Sequence, residues 1–175
     1  MEIEFTVEVA NDLFLNLNIS RLHVLVKNTE ADGKHIDAIT AASINLTLHS
    51  MFREIGLELN GRNVGNTSQF YPYRSHLKTL LNLCKEIQQT RLLCERWTKD
   101  RTGHMGVIAV GWNYAGLNAR AATFARSTVV KIIGLPHLNV FIKKRFISQR
   151  IDLHIKLMPT LNNFVCKSAA PGQCN

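Results

Sequence analysis

Residues 54–64 read Glu-Ile-Gly-Leu-Glu-Leu-Asn-Gly-Arg-Asn-Val, and this stretch carries the strongest structural signal in the chain. Apolar side chains occupy every second position from 55 to 59, as in a strand with one buried face. Asn60-Gly61 follows at once, and this pair favours a type I′ turn because both residues tolerate a positive φ. The stretch therefore predicts a β-hairpin whose return strand begins at Arg62.

The same alternation recurs along much of the chain. Residues 2–9 and 151–157 alternate most clearly between apolar and polar side chains, which is typical of strands with one solvated face. Further strands are predicted over residues 13–19, 21–27, 44–48, 121–126, 128–134, 138–142 and 161–167. Residues 48–53 fit either a strand or one helical turn. These short strands predict an all-β fold, an antiparallel jelly-roll sandwich of about eight strands with one helical excursion.

One segment interrupts the strand pattern. Pro72 suits the first turn of a helix, and apolar residues then recur at the helical period. They are Leu77, Leu80, Leu81, Cys84 and Ile87. We expect a helical insertion over about 72–97, followed by a long Gly-rich loop over about 98–118. The chain is interpreted as a single jelly-roll domain over 1–167 with a frayed tail over 168–175.

The chain has 175 residues and a formal net charge of +8, but its charge is unevenly distributed. Residues 1–19 hold four acidic and no basic side chains, whereas the densest basic run is Lys143-Lys144-Arg145. A basic surface suits polyanions. These three residues are therefore the candidate anion-binding site, and a solvated or inter-subunit basic face is the alternative.

The four cysteines, at positions 84, 94, 166 and 174, form no CxxC pair. This pattern predicts four free thiols in a reducing compartment. The N-terminus, Met-Glu-Ile-Glu, lacks the basic and apolar regions of a secretion signal. No apolar run approaches the roughly 20 residues that span a bilayer, so no membrane partner is expected.

Catalytic and cofactor motifs are absent from the sequence. The seven histidines are scattered without an HExxH or HxH pair, and no nucleophile elbow or phosphate-binding loop is present. The sequence therefore predicts a protein that is not an enzyme and has neither a metal nor a cofactor. A metal- or sugar-active enzyme is the weakest alternative, and a His/Glu cluster inside the sandwich would favour it. The aromatic residues around Arg74 fit core packing or a subunit contact better than base stacking.

The order of several short motifs resembles one family. The chain reads Asn45-Leu-Thr-Leu-His-Ser-Met-Phe52, then Glu58-Leu-Asn-Gly61, Tyr71-Pro-Tyr-Arg74 and Trp97-Thr-Lys-Asp100. Leu135-Pro-His-Leu138 follows later. This order is similar to that of the hexon-like major capsid proteins of Maverick/Polinton-type viruses. The residues that carry the pattern are Leu48, His49, Phe52, Asn60, Gly61, Tyr71, Tyr73, Arg74, Lys99 and Asp100.

The resemblance implies a structural protein that assembles through jelly-roll contacts. Proteins of that family are double jelly rolls that form trimeric capsomers, and this chain resembles the N-terminal roll only. We therefore expect a capsid-type protein, or a fragment or host-integrated remnant of one, whose partner is itself or a second jelly roll. Such a roll should expose an apolar flank. The resemblance implies a location in the virion or the nucleus. The alternative is a jelly-roll module that binds nucleic acid or another anionic ligand.

Overall fold

The computed structural model describes residues 2–30, 32–36, 41–66, 68–100 and 115–168. The strands are β1 Ile3–Glu8, β2 Leu15–Asn16, β3 Leu22–Val26, β4 Ala41–Ser43, β5 Phe52–Leu59, β6 Arg62–Asn66, β7 Val130–Gly134, β8 Phe146–Ile147, β9 Asp152–Pro159 and β10 Cys166–Ser168. The helices are α1 Thr47–Ser50, α2 Tyr71–Asn82, α3 Lys85–Gln89, α4 Ala115–Thr123, α5 Asn139–Ile142 and α6 Asn162–Val165. Short 3-10 helices cover Leu17–Ile19, Ser68–Phe70, Arg91–Glu95 and Ala125–Ser127.

The largest sheet has four antiparallel strands in the order β1-β9-β5-β6. Its register places Ile155 of β9 between Phe5 of β1 and Leu57 of β5, so the apolar side chains share one face. The next row, with His154 flanked by Thr6 and Glu58, lies on the opposite face. Alternation in the sequence thus gives one face that packs on the core and one polar face.

The predicted hairpin is confirmed. Asn60 and Gly61 have φ angles of 47° and 73° between β5 and β6, which is the requirement of a type I′ turn. The turn is also tied to the neighbouring strand, because Asp152 N–H donates to Asn60 Oδ1 at 2.7 Å and Asn60 N–H donates to the Asp152 carbonyl at 2.9 Å. These bonds fix the register of β5 against β9.

The other strands form three two-stranded antiparallel sheets, β2–β8, β3–β7 and β4–β10. The pairs β1–β9, β2–β8 and β3–β7 are nested in sequence, so that each pair encloses the next, as in one long hairpin. The apolar face of β3, at Leu22 and Val24, packs on the core of the large sheet. The buried part of this core is formed by Leu17, Phe52, Ile55, Leu57, Tyr71, Leu138, Phe141, Ile147, Leu153 and Leu157.

The antiparallel architecture is confirmed, but the all-β class is not. Helix accounts for 35% and strand for 33% of the described residues, and none of the sheets closes. Two predicted strands are wrong: residues 121–126 form the end of α4 and a 3-10 helix, and 138–142 contain α5. Apolar runs this short do not distinguish a strand from a helix. The alanines around 119–122 favour a helix intrinsically.

Other boundaries also differ. Residues 13–19 form only the two-residue β2 and a 3-10 helix, and 161–167 divide between α6 and β10. The ambiguous stretch 48–53 contains both alternatives, since α1 ends at Ser50 and β5 begins at Phe52. The predicted loop over 98–118 ends early because α4 begins at Ala115. Its central part and most of the predicted tail lie outside the described residues.

The helical insertion is confirmed as α2, α3 and the 3-10 helix Arg91–Glu95. Its orientation is unusual. The apolar stripe of α2 lies on the surface, with Leu81 exposed to 79%, whereas Ser75 and Thr79 on the inner face are fully buried. An amphipathic helix typically has the opposite arrangement.

The cysteines differ from the expectation of four free thiols. Cys84 and Cys94 are free and exposed, but Cys166 is disulfide-bonded. The expectation is therefore wrong for Cys166. Spacing along the sequence does not reveal this bond, because disulfide formation depends on which residues the fold brings together.

Candidate functional site

Four polar side chains from distant parts of the sequence meet inside the molecule. His49 lies in α1, Tyr71 begins α2, Glu95 ends a 3-10 helix and His137 lies between β7 and α5. His49, Tyr71 and Glu95 are almost completely buried. Buried polar groups are costly without partners, so the hydrogen bonds of this cluster decide whether it stabilises the fold.

The cluster forms a continuous chain of hydrogen bonds. His49 Nδ1 lies 2.7 Å from Tyr71 Oη, and His49 Nε2 lies 3.1 Å from Glu95 Oε2. The backbone N–H of His137 donates to Tyr71 Oη at 3.1 Å, and that of Leu135 donates to Glu95 Oε1 at 3.3 Å. If His49 carries its proton on Nε2, Tyr71 donates to Nδ1 and each of these contacts pairs a donor with an acceptor.

The ring of His137 completes the cluster without joining the chain of hydrogen bonds. It stacks on the His49 ring, with centroids 4.1 Å apart and planes inclined by 29°. Its Nδ1 is buried and has no hydrogen-bond partner within the described ranges. Burial is the main cause that lowers the pKa of His137 to about 3, and His49 and Lys78 act in the same direction. His137 is therefore neutral at physiological pH.

The local sequence makes this convergence possible. A Cβ at Gly134, the last residue of β7, would overlap the side chains of Leu48 and Glu95, so only glycine lets β7 approach this closely. Burial raises the pKa of the Tyr71 hydroxyl, which keeps it protonated and able to donate. The cluster thus joins α1, α2, the 3-10 helix Arg91–Glu95 and the end of β7.

A cavity of about 550 Å³ opens beside the cluster, within the usual range for small-molecule sites. Glu95 and His137 form part of its lining. Its apolar lining consists of Leu83, Ile87, Leu92, Leu135 and Ile142, and its basic lining of Lys78, Arg91 and Lys144. Lys78 Nζ donates to the His137 carbonyl at 3.3 Å and to Asn139 Oδ1 at 3.1 Å, and burial lowers its pKa.

A second polar cluster centres on Arg120 of α4, which is 3% exposed. Its guanidinium forms two 3.0 Å contacts to the Asp100 carboxylate, donates to the Ser43 carbonyl at 2.9 Å and contacts the Thr98 hydroxyl. Asn45 Nδ2 also donates to Asp100 Oδ2 at 3.2 Å. Because the carboxylate and the guanidinium satisfy each other, this cluster fixes the backbone after Trp97 and needs no ligand.

The structure separates the family-pattern residues into four groups. Leu48, Phe52, His49 and Tyr71 are buried together around the first cluster, and Asp100 belongs to the second. Asn60 and Gly61 form the hairpin turn. Tyr73, Arg74 and Lys99 are exposed, and Tyr73 packs edge-on against Phe164 with ring centroids 5.7 Å apart. The pattern therefore consists mainly of structural positions.

The basic run Lys143-Lys144-Arg145 is exposed throughout, and only Lys144 lines the cavity. The three side chains therefore do not form a common pocket. Sequence reasoning identified His49, Tyr71 and Asp100 but missed Glu95, His137 and Arg120. The Leu-Pro-His-Leu motif contains His137 and was the only sequence signal that could have identified it. Nothing in the sequence distinguishes Glu95 from the exposed acidic residues.

Comparison with protein-family models, with curated proteins and with solved structures gives no match for this chain. Among the described helices, none combines the length and the apolar character that crossing a bilayer requires.

Proposed function

We propose that this chain is a capsid-type jelly-roll domain that works by assembling with copies of itself. One observation carries the proposal, namely the exposed apolar face of α2. The proposal concerns contacts between copies and requires no catalytic step. Its two parts, the roll topology and the assembly surface, rest on different features of the fold.

The nested pairing of strands supports the jelly-roll topology. A jelly roll is a long antiparallel hairpin wrapped so that its successive pairs alternate between two packed sheets. Here β1–β9 belongs to the four-stranded sheet, β2–β8 and β3–β7 each form a separate two-stranded sheet, and Leu22 and Val24 of β3 pack across to the large sheet.

The outer face of α2 supports an assembly role. Leu77, Leu80 and Leu81 of α2 are exposed to 56%, 49% and 79%. Contiguous exposed apolar surface of this kind marks interaction sites in soluble proteins. We call this stripe, Leu77, Leu80 and Leu81, the α2 face.

Charge complementarity supports a second copy as the partner. Along the helical segment that carries the α2 face, Arg74, Lys78 and Lys85 outnumber the one acidic side chain, Glu86, so the segment has a net positive charge. The edge strand β1 is acidic, and it exposes Phe5 to 46%. An acidic, partly apolar edge on one copy complements a basic, apolar face on the next. A contact between two different surfaces repeats around a ring when its rotation closes, as a trimer requires.

Binding of an anionic ligand is the second candidate function. Lys78, Arg91 and Lys144 line one cavity, which brings part of the predicted basic run to a concave surface. Nucleic-acid binding through this surface should weaken steeply with salt. It should also be lost when Lys143, Lys144 and Arg145 are replaced by alanine. Salt-insensitive assembly without nucleic-acid affinity would reject this candidate.

Sedimentation velocity over a range of protein concentrations tests the assembly proposal. The wild-type chain should form concentration-dependent oligomers, and the double variant Leu77→Lys/Leu81→Lys should sediment as a monomer. Leu25→Lys/Val129→Lys is the matched control, since it adds the same charge at exposed apolar positions of β3 and next to β7. A monomeric wild-type chain at all concentrations, or equal loss of assembly in both variants, would refute the role of the α2 face.

A further inference from the structure

We propose that His49, Glu95 and His137 form a binding site for a divalent transition-metal ion, with Zn²⁺ as the best match to the ligands. This site is separate from the assembly surface, and it can be tested on the monomer. The three side chains each offer one ligand atom, and these atoms all lie within 4.8 Å of one another. Two imidazoles and a carboxylate are a common protein ligand set for zinc, with a fourth position left open.

The distances already fit one edge of a coordination sphere. Ligand atoms at about 2.0–2.1 Å from a tetrahedral zinc ion are about 3.3 Å apart. His49 Nε2 and Glu95 Oε2 are separated by 3.1 Å, so an ion can bind between them with little movement of either side chain.

The stacked ring of His137 has to turn to complete the site. The lone pairs of two nearly parallel imidazoles do not meet at one point, so a metal ion requires the 4.1 Å stack to open. Nothing in the described part of the chain bonds to His137 Nδ1, so turning the ring disrupts its contact with the Ser75 backbone but no hydrogen bond at Nδ1. His137 and Glu95 also line the 550 Å³ cavity, which gives the ion a route from solvent.

Tyr71 is placed as the outer partner of the metal-bound histidine. Metal-ligating histidines almost always donate their other ring N–H to a nearby acceptor, and Tyr71 Oη lies 2.7 Å from His49 Nδ1. Binding at Nε2 moves the His49 proton to Nδ1, from which it donates to Tyr71. The Tyr71 hydroxyl can then donate to the buried Ser75 Oγ, a side chain that already interacts with Tyr71.

Charge gives a further reason for a cation here. Glu95 is 5% exposed, and among the described residues the His49 ring is the one basic side chain within ion-pair distance of its carboxylate. Buried charges in proteins are paired or coordinate metals. A divalent ion at this place would add positive charge beside the buried Glu95 carboxylate, and its fourth coordination position would face the cavity.

Isothermal titration of the metal-free full chain with Zn²⁺ tests the proposal. The titration uses a Cys84→Ser/Cys94→Ser background, which removes the two free thiols as competing ligands. We expect one Zn²⁺ per chain. His137→Gln should weaken binding at least tenfold, and Tyr71→Phe by about 10- to 100-fold because it removes the outer partner. His23→Gln, an exposed histidine of β3, is the control and should bind like the background protein.

The NMR signals of the histidine rings give a second readout, which needs no substitution at the site. Stoichiometric Zn²⁺ should shift the ring resonances of His49 and His137 and leave those of His23 unchanged. The absence of saturable binding would overturn the proposal. Binding that His137→Gln leaves intact, or shifts confined to other histidines, would overturn it equally.

Discussion

The two faces of α2 are reversed relative to those of a usual amphipathic helix, because the polar face is buried and the apolar face is exposed. The inner face presents Tyr71, Ser75 and Thr79, which are fully buried, and the outer face presents leucines to solvent. The inner face is stabilised locally, because Tyr71 joins the hydrogen-bond chain of His49 and Glu95. The outer face has no such local explanation. The difference shows that the place of a helix in the fold, and not its amphipathic pattern alone, decides which of its sides is buried.

The largest expected effect comes from breaking the inner network at Glu95. Glu95→Ala removes the acceptor of His49 Nε2 and of the Leu135 N–H, and it leaves buried donors unpaired. The free energy of unfolding, measured by urea denaturation, should fall by about 3 kcal/mol. Glu86→Ala, on exposed α3, should change it by less than about 0.5 kcal/mol. Equal effects of the two substitutions would show that the network contributes little.

The pH dependence of the free energy of unfolding should show that His137 is buried in its neutral form. Its pKa is 6.5 in the unfolded chain and about 3 in the fold, so the unfolded state takes up the proton first as the pH falls. The free energy of unfolding is therefore unaffected by His137 above pH 6.5. Between pH 6.5 and pH 3 it falls as the pH is lowered, by at most about 1.4 kcal/mol per pH unit. The free energy of unfolding of the His137→Gln variant should fall less steeply over this pH range. Parallel curves for the two proteins would contradict the buried neutral state.

A smaller effect of opposite sign is expected on the inner face at Thr79. Its Oγ1 is buried and has no hydrogen-bond partner in the part of the chain that the structure describes. Thr79→Val keeps the shape and removes this hydroxyl, so the free energy of unfolding should rise by up to about 1 kcal/mol. Thr47→Val is the matched control and should lower stability, because Thr47 Oγ1 donates to Ser43 Oγ at 2.9 Å. A loss of stability in both variants would show that Thr79 is bonded.

The smallest effect on the isolated chain should come from the outer face. Leu81→Ser changes a side chain that is 79% exposed, and in dilute solution it should alter the free energy of unfolding by less than about 0.5 kcal/mol. Denaturation at a concentration where the protein is monomeric checks this. A destabilisation of more than about 1 kcal/mol would place Leu81 within the monomer's own core.

Local sequence rules identified the parts of the fold that local forces determine. The type I′ turn at Asn60-Gly61, the alternating strands β1 and β9 and the helical insertion follow from positive φ tolerance and side-chain periodicity. The failures lie where tertiary context decides. Residues 121–126 and 138–142 are too short for their periodicity to identify the element, and the disulfide at Cys166 depends on which residues the fold brings together.

The candidate site was predictable only in part. His49 and Tyr71 stood within motifs, but their buried partners Glu95 and His137 come from segments 46 and 66 positions further along the chain. No spacing rule connects such distant residues. The sequence also predicted the apolar stripe of α2 but not its direction, since periodicity shows that residues share a face and does not show what the face contacts.

The central claim, that a second copy covers the α2 face, can be tested without any substitution. Cys84 is a free, exposed thiol at the start of α3, three positions after Leu81, and Cys94 is a second exposed free thiol on the following 3-10 helix. The alkylation rate of each is measured by mass spectrometry as the protein concentration is raised. We predict that alkylation of Cys84 slows relative to Cys94 as oligomers form. Oligomers in which the ratio of the two rates stays constant would contradict the claim.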